Sequence, residues 1–169
     1  MKLGDIALAS RAISSAAFGP GSAVTMWGLR PVITVEKISG MPRLSPAHVR
    51  LLNAPNFATV STIMPDGSPE ATIVWVEADE DHVYFNTAMH RLKARNIQRD
   101  PRVAICAWDL DDPHNGVEVR GRAELILEGA NENADQVSLA YDGKHFRELG
   151  PDEVRVIVKI TPERIHVMR

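Results

Sequence analysis

The residues with the clearest chemical potential lie at positions 86–103, NTAMHRLKARNIQRDPRV. Arg91, Lys93 and Arg95 open a short helix directly after an apolar strand. A helix start offers free backbone N–H groups and the positive end of the dipole. A guanidinium and an ammonium two residues apart add a planar fork and a point charge. Together they make a seat for a phosphate, so a cofactor or substrate with a phosphate tail is the first ligand class to expect.

Other chemistry is sparse. His48, His82, His90, His114, His145 and His166 are scattered and match no metal-ligand spacing. No nucleophile elbow, Walker loop or dinucleotide-binding glycine motif occurs. Cys106, the one cysteine, sits in an apolar run and reads as a small buried hydrophobe rather than a nucleophile. Asp109, Asp111 and Asp112 read as a solvated loop. No catalytic side chain can be named, and an enzyme of this kind borrows its chemistry from an organic cofactor. Lys144, His145 and Arg147 form a small basic cluster at the expected rim of a substrate pocket.

The elements that must position these groups are legible from periodicity and turn residues. Ser45-Pro46 reads as an N-cap and first helical residue, with Val49, Leu51 and Leu52 on the apolar side. Residues 57–64 read as a strand, Pro65-Asp66-Gly67 as a turn, and 71–76 as an apolar strand covered on both faces. The acidic stretch 77–81 reads as a second turn, 82–87 as a strand, 91–99 as the basic helix and 103–108 as a strand. Residues 117–127 alternate, with Gly121 permitting a bend or bulge. A helix over 128–141, an irregular segment, and two short strands at 154–160 and 165–168 complete the chain. Six or seven strands linked by hairpins, with two or three short helices, give a mainly β fold: an antiparallel closed or partly open barrel.

The chain has 169 residues, enough for one domain and one core. A net charge of -3 argues against nucleic acid as the main partner. No apolar run reaches the ~18 residues of a membrane span, so no membrane partner is expected. A single thiol with no disulfide framework fits a reducing cytoplasm, the expected localisation. Residues 1–40, rich in Ala, Ser and Gly, read as a poorly ordered extension, a start-site artefact or a weak transit-like leader, with a helical arm docking on a partner subunit as the other reading and the functional domain at 41–169.

The blocks TIVWVEADEDHVYFNT, RLKARNIQRDPRVAI, VEVRGRAEL and EVRVIVKITPERI, in that order, resemble the flavin/deazaflavin oxidoreductase branch of the pyridoxamine 5′-phosphate oxidase-like superfamily. The resemblance covers residues 44–168 and is nearest to the coenzyme F420-dependent reductases. It implies a split β-barrel, an FMN-binding type of fold, that forms a homodimer with cofactor sites at the subunit interface. It implies that Arg91 and Lys93 hold the cofactor phosphate with Thr87 nearby, and that Thr72, Ile73, Val74 and Trp75 lie along the tricyclic ring. Asn96 and Arg99 match positions used for helix packing and surface pairing. Met89 and His90 depart from the family pattern, where glycine and a further basic residue are common. The C-terminal Arg-rich signature of true pyridoxamine-phosphate oxidases is not evident.

The resulting expectation is a reductase passing a hydride from reduced F420 to an electron-poor small organic substrate. FMN is the alternative cofactor, and a non-catalytic flavin, haem or tetrapyrrole binder is the third reading, with His90 or His114 as haem ligand. Trp75 and Trp108 suit either core packing or a place beside a flat ring. Arg120 and Arg122 suit either contact with a polyanionic cofactor tail or pairing with Glu118 and Glu124, and pairing is the favoured reading.

Overall fold

The computed structural model describes residues 40–168. The expected extension at 1–40 lies outside the described residues apart from Gly40. Ten elements follow in order: α1 Pro46–Asn53, β1 Phe57–Ile63, β2 Pro69–Trp75, β3 Glu77–Ala78, β4 Val83–Ala88, α2 Leu92–Arg99, β5 Arg102–Trp108, β6 Gly116–Ile126, α3 Ala130–Asp142 and β7 Arg155–Met168. The seven strands form one antiparallel sheet in the order β2-β1-β5-β6-β7-β4-β3.

That order dictates the shape. β2 and β3 stand at opposite edges of the sheet, yet only Val76 separates them in the chain. A flat sheet cannot satisfy both facts, since neighbouring strands lie about 4.8 Å apart. The sheet must curl until its edges meet at Val76. The result is the mainly β split barrel expected from the sequence.

Inside the curl, Leu52, Val60, Phe85, Ile105, Val119, Val158 and Ile160 are almost fully buried. Each contributes roughly 1.5–3 kcal/mol relative to exposure. The alternation of β1 follows directly, with Ala58, Val60 and Thr62 inward. α1 closes one end of the barrel. Ser45 Oγ accepts the His48 N–H at 3.3 Å, Pro46 occupies the first turn, and Leu51 and Leu52 point into the core. At its far end Asn53 receives and donates across the backbone of Ala78, 2.8 Å each way, and so acts as a substitute strand for the free edge of β3.

Four sequence expectations need correction. The acidic stretch 77–81 is not wholly a turn, because Glu77 and Ala78 pair with Tyr84 and Val83. The two short C-terminal strands are one 14-residue strand. Arg120 pairs with Arg164 and Gly121 with Pro162, so Glu163 is the extra residue of a bulge that lets Pro162 stay within a strand. β2 is an edge strand, and Ile73 is 70% exposed rather than covered on both faces. Cys106 lies on the half-buried face of β5, not in the core. Burial pushes its thiol pKa up, and the Glu118 carboxylate adds to that.

Candidate functional site

α2 begins where β4 ends. Arg91 is its N-cap, with an extended backbone and no side chain able to cap the first-turn amides. One turn of helix then places Lys93 inward, 6% exposed, while Arg91 and Arg95 remain exposed. Burial lowers the Lys93 pKa; the Glu70 carboxylate opposes this, and Arg91 and Arg155 push it further down. The helix is pinned by Asn96, whose Nδ2 donates to Thr62 Oγ1 at 2.9 Å; that hydroxyl in turn donates to Glu70 Oε2 at 2.7 Å. Arg99 donates to the Ile63 carbonyl. Asn96 is therefore a buried packing residue and Arg99 an exposed one that ties the helix to β1, in line with the packing and surface-pairing roles that the resemblance implies.

Thr87, the penultimate residue of β4, is 2% exposed, and its Oγ1 has no hydrogen-bond partner among the described residues. A buried hydroxyl left unsatisfied costs about 1–3 kcal/mol. Such a group beside Arg91 and Lys93 suits an anion that accepts its proton.

These groups share one cavity of about 200 Å³. Six of the seven residues singled out from the sequence line it: Ile73, Val74, Trp75, Thr87, Arg91 and Lys93. Thr72 does not, although its hydroxyl is also buried without a partner. Arg95 and Trp108 are not in the lining either. The cavity thus has a cationic end at the start of α2 and an apolar wall along β2. Trp75 stacks on Tyr141 of α3, with ring centroids 5.3 Å apart and planes at 24°, and Phe57 completes the aromatic group.

Sequence reading missed Asn86, Phe146 and Arg155, which line the same cavity. Arg155 opens β7 and reaches the site only because β7 pairs with β4, Arg155 opposite Ala88. Nothing local announces that pairing. Of the expected basic rim, Arg147 is taken up by Glu153 at 2.7 Å and His145 by Asp135 at 2.8 Å. Arg120 lies 3.7 Å from Glu118, the pairing anticipated for it.

A more capacious open depression, about 660 Å³, lies beside α1 and the 109–115 loop. Its charged groups, Arg50 against Asp109 and Asp111, do not converge on one sign, and it holds none of the residues above.

Comparison with known proteins matches this geometry to a family. The family model for pyridoxamine 5′-phosphate oxidase matches residues 44–169. The chain belongs to the pyridoxamine 5′-phosphate oxidase family. A pyridoxine/pyridoxamine 5′-phosphate oxidase from Nostoc sp. is 29% identical over 82 residues, which are 48% of this chain and 38% of that protein. The chain thus spans well under half the length of that relative. Among solved structures, an F420 reductase matches at 27% identity with a TM-score of 0.66, covering 73% of this chain and 98% of the other. A conserved hypothetical protein from Mycobacterium tuberculosis matches at 29% identity and a TM-score of 0.60, covering 74% and 84%. General Stress Protein 26 from Bacillus anthracis, at 20% identity and a TM-score of 0.58, covers 72% and 91% and shares the fold. The resemblance carried by the four sequence blocks is borne out, and the family is one of flavin-binding oxidoreductases. Among the described residues no helix is long and apolar enough to cross a membrane.

Proposed function

We propose that this chain is an oxidoreductase that binds coenzyme F420 in the cavity between β2 and the start of α2. The observation that carries the reading is the union of a cationic seat (Arg91, Lys93 and the unpartnered Thr87 hydroxyl) with an apolar strand in one cavity. Likeness to an F420 reductase over nearly all of that protein's length supports it. Arg91, Lys93 and Thr87 would hold the phosphate, and the backbone of residues 72–75 would run along the ring. When bound, the reduced cofactor supplies a hydride for an electron-poor substrate. The protein's own part is to orient the two flat molecules and keep water out, for which Phe57 and Trp75 are placed.

A second copy of the chain completes the site in this reading. A cavity of about 200 Å³ is smaller than the roughly 300–1,000 Å³ of ordinary ligand sites. Phe57 and Ile73, 47% and 70% exposed, leave apolar surface at its mouth that a partner subunit would cover.

FMN is the second reading. Its phosphate needs the same seat, and Arg120, one of the two arginines suited to a polyanionic tail, lies 3.7 Å from Glu118 and outside the cavity lining. A haem carrier is less well supported, since neither His90 nor His114 lines the cavity.

The test is a fluorescence titration of purified protein with oxidised F420 and, separately, FMN, alongside Arg91→Ala and Lys93→Ala. Each variant is expected to weaken binding by about 10-fold or more, the worth of a hydrogen bond to a charged group. Binding of neither cofactor at micromolar concentration would sink the proposal. Preference for FMN would keep the site and change the cofactor.

A further inference from the structure

Arg155 is as buried as Lys93, each 6% exposed, and lines the same cavity. A buried guanidinium is tolerated only when paired and hydrogen-bonded. Asn86 Oδ1 accepts from its Nε at 2.9 Å and its Nη2 at 2.6 Å, and Glu153 Oε1 accepts from Nη1 at 3.2 Å. The guanidinium carbon lies 4.6 Å from the centroid of the Phe146 ring. Among the described residues these bonds engage three of its five N–H groups. Two are left for a ligand in the cavity that Arg155 lines.

The orientation of Asn86 is fixed from behind. Its Nδ2 donates to Ala130 O at 2.7 Å and to Asn133 Oδ1 at 2.9 Å, and Asn133 Nδ2 donates to Glu77 Oε2 at 3.0 Å. A carboxylate at one end and a guanidinium at the other leave each amide one orientation. The chain Glu77–Asn133–Asn86 therefore presents an oxygen to Arg155 and holds its fork in one place. A pre-placed fork loses less entropy on meeting an anion.

Charge points the same way. The lining holds three cations, Arg91, Lys93 and Arg155, and no carboxylate; Glu70 and Glu153 act on them from outside it. A positive lining suits a phosphate ester of either kind, a monoester such as that of FMN, with close to two negative charges above about pH 6, or the singly charged diester of F420.

We propose that Arg155 is a phosphate-contacting residue of the cavity, held in place by Asn86 and tuned by Glu153, and that it sets a preference for ligands with a phosphate ester over the same ring without one. This rests on the phosphate seat proposed above. It adds a residue that lies outside the Arg91–Lys93 segment.

The test compares FMN with riboflavin, which differ by the phosphate alone, using flavin fluorescence and the full-length chain. F420 and its phosphate-free chromophore form a parallel arm that tells which ring cofactor supplies the phosphate. Wild type is expected to favour FMN over riboflavin. Arg155→Gln is expected to weaken FMN binding by about 10-fold or more and leave riboflavin unchanged, with Arg155→Lys in between. Glu153→Gln in an Arg147→Ala background, where Arg155 is the guanidinium that Glu153 still holds, is expected to tighten FMN roughly two- to five-fold relative to Arg147→Ala alone. If wild type does not discriminate FMN from riboflavin or F420 from its chromophore, the phosphate seat itself is wrong. If wild type discriminates and Arg155→Gln still does so equally, the role of Arg155 is overturned and the seat survives. Should Arg155→Gln fail to fold, Glu153→Gln in that background decides: tighter FMN binding supports the assignment, and unchanged or weaker binding overturns it.

Discussion

The Tyr141 hydroxyl accepts the backbone N–H of Val76 at 3.1 Å, at the single residue where the two edges of the sheet meet. It also lies 2.7 Å from Asn56 O and 2.9 Å from Val76 O, and its one proton goes to the nearer. One side chain of α3 thus ties together the start of β1 and the β2–β3 junction. Burial pushes the phenol pKa up, the Val76 amide opposing and the Glu77 carboxylate adding to it, so the group stays a neutral donor at physiological pH.

Tyr141→Phe should therefore destabilise the fold without emptying its aromatic cluster. The ring still packs on Trp75 and Phe57, but Val76 N–H and a carbonyl lose their partner. The expected loss is about 1–3 kcal/mol, read as a lower urea midpoint with an unchanged slope. An unaltered midpoint would show that the seam is held by something else.

Trp75 reports on the cavity. It lines the cavity wall and stacks on Tyr141. A flat ring bound there should quench its emission, since the two aromatic faces would lie in contact. Addition of FMN or F420 is expected to lower tryptophan fluorescence in wild type, and Trp75→Phe should remove most of that change while still binding the ligand. Equal quenching in the variant would place the ring away from Trp75.

Much of this site was legible because its central pieces are local. Strand 82–87, the capless start of α2 and the Arg91–Lys93 pair fall within a dozen residues, so helix and strand periodicity were enough to bring them together. β2 was read correctly as apolar but wrongly as covered, because apolar content does not say whether a strand is central or an edge. Arg155, Asn86 and Phe146 were illegible for a different reason. They meet through the β4–β7 pairing and the packing of α3, contacts between segments some 70 residues apart in sequence. The single long β7 was missed because Pro162 looks like a break until the bulge opposite Gly121 is seen.

Gly121 faces that bulge across the β6–β7 ladder. A Cβ built there would lie 2.0 Å from Thr161 O and 3.2 Å from Pro162 Cα, both backbone atoms that cannot swing aside. Gly121→Ala should force β6 and β7 apart, costing about 1–3 kcal/mol as overpacking does. Thermal unfolding measures it, and a melting temperature equal to wild type would mean the register shifts freely. The Ala exchange at Gly67, in the exposed turn with φ +85°, meets no atoms and is strained by its backbone alone, so it should cost less.

The titration of Lys93 gives the site a distinctive pH profile. Its pKa lies below the ordinary 10.5, chiefly through burial, with Arg91 and Arg155 adding to the shift and Glu70 opposing it. Between that lowered value and the ordinary one, the unfolded chain binds more protons than the folded one, so stability of the free protein rises with pH through this window. Ligand binding runs the other way. A phosphate favours the ammonium form, so binding takes up a proton there and weakens as pH rises through the lowered Lys93 pKa. Below about pH 6 the phosphate itself gains a proton and binding weakens again. FMN affinity should thus pass through a maximum, with its alkaline limb beginning earlier than an ordinary lysine would allow. In Lys93→Arg, whose guanidinium does not titrate, the alkaline limb should move to higher pH while the acid limb stays. An alkaline limb common to both proteins would show that Lys93 does not meet the phosphate.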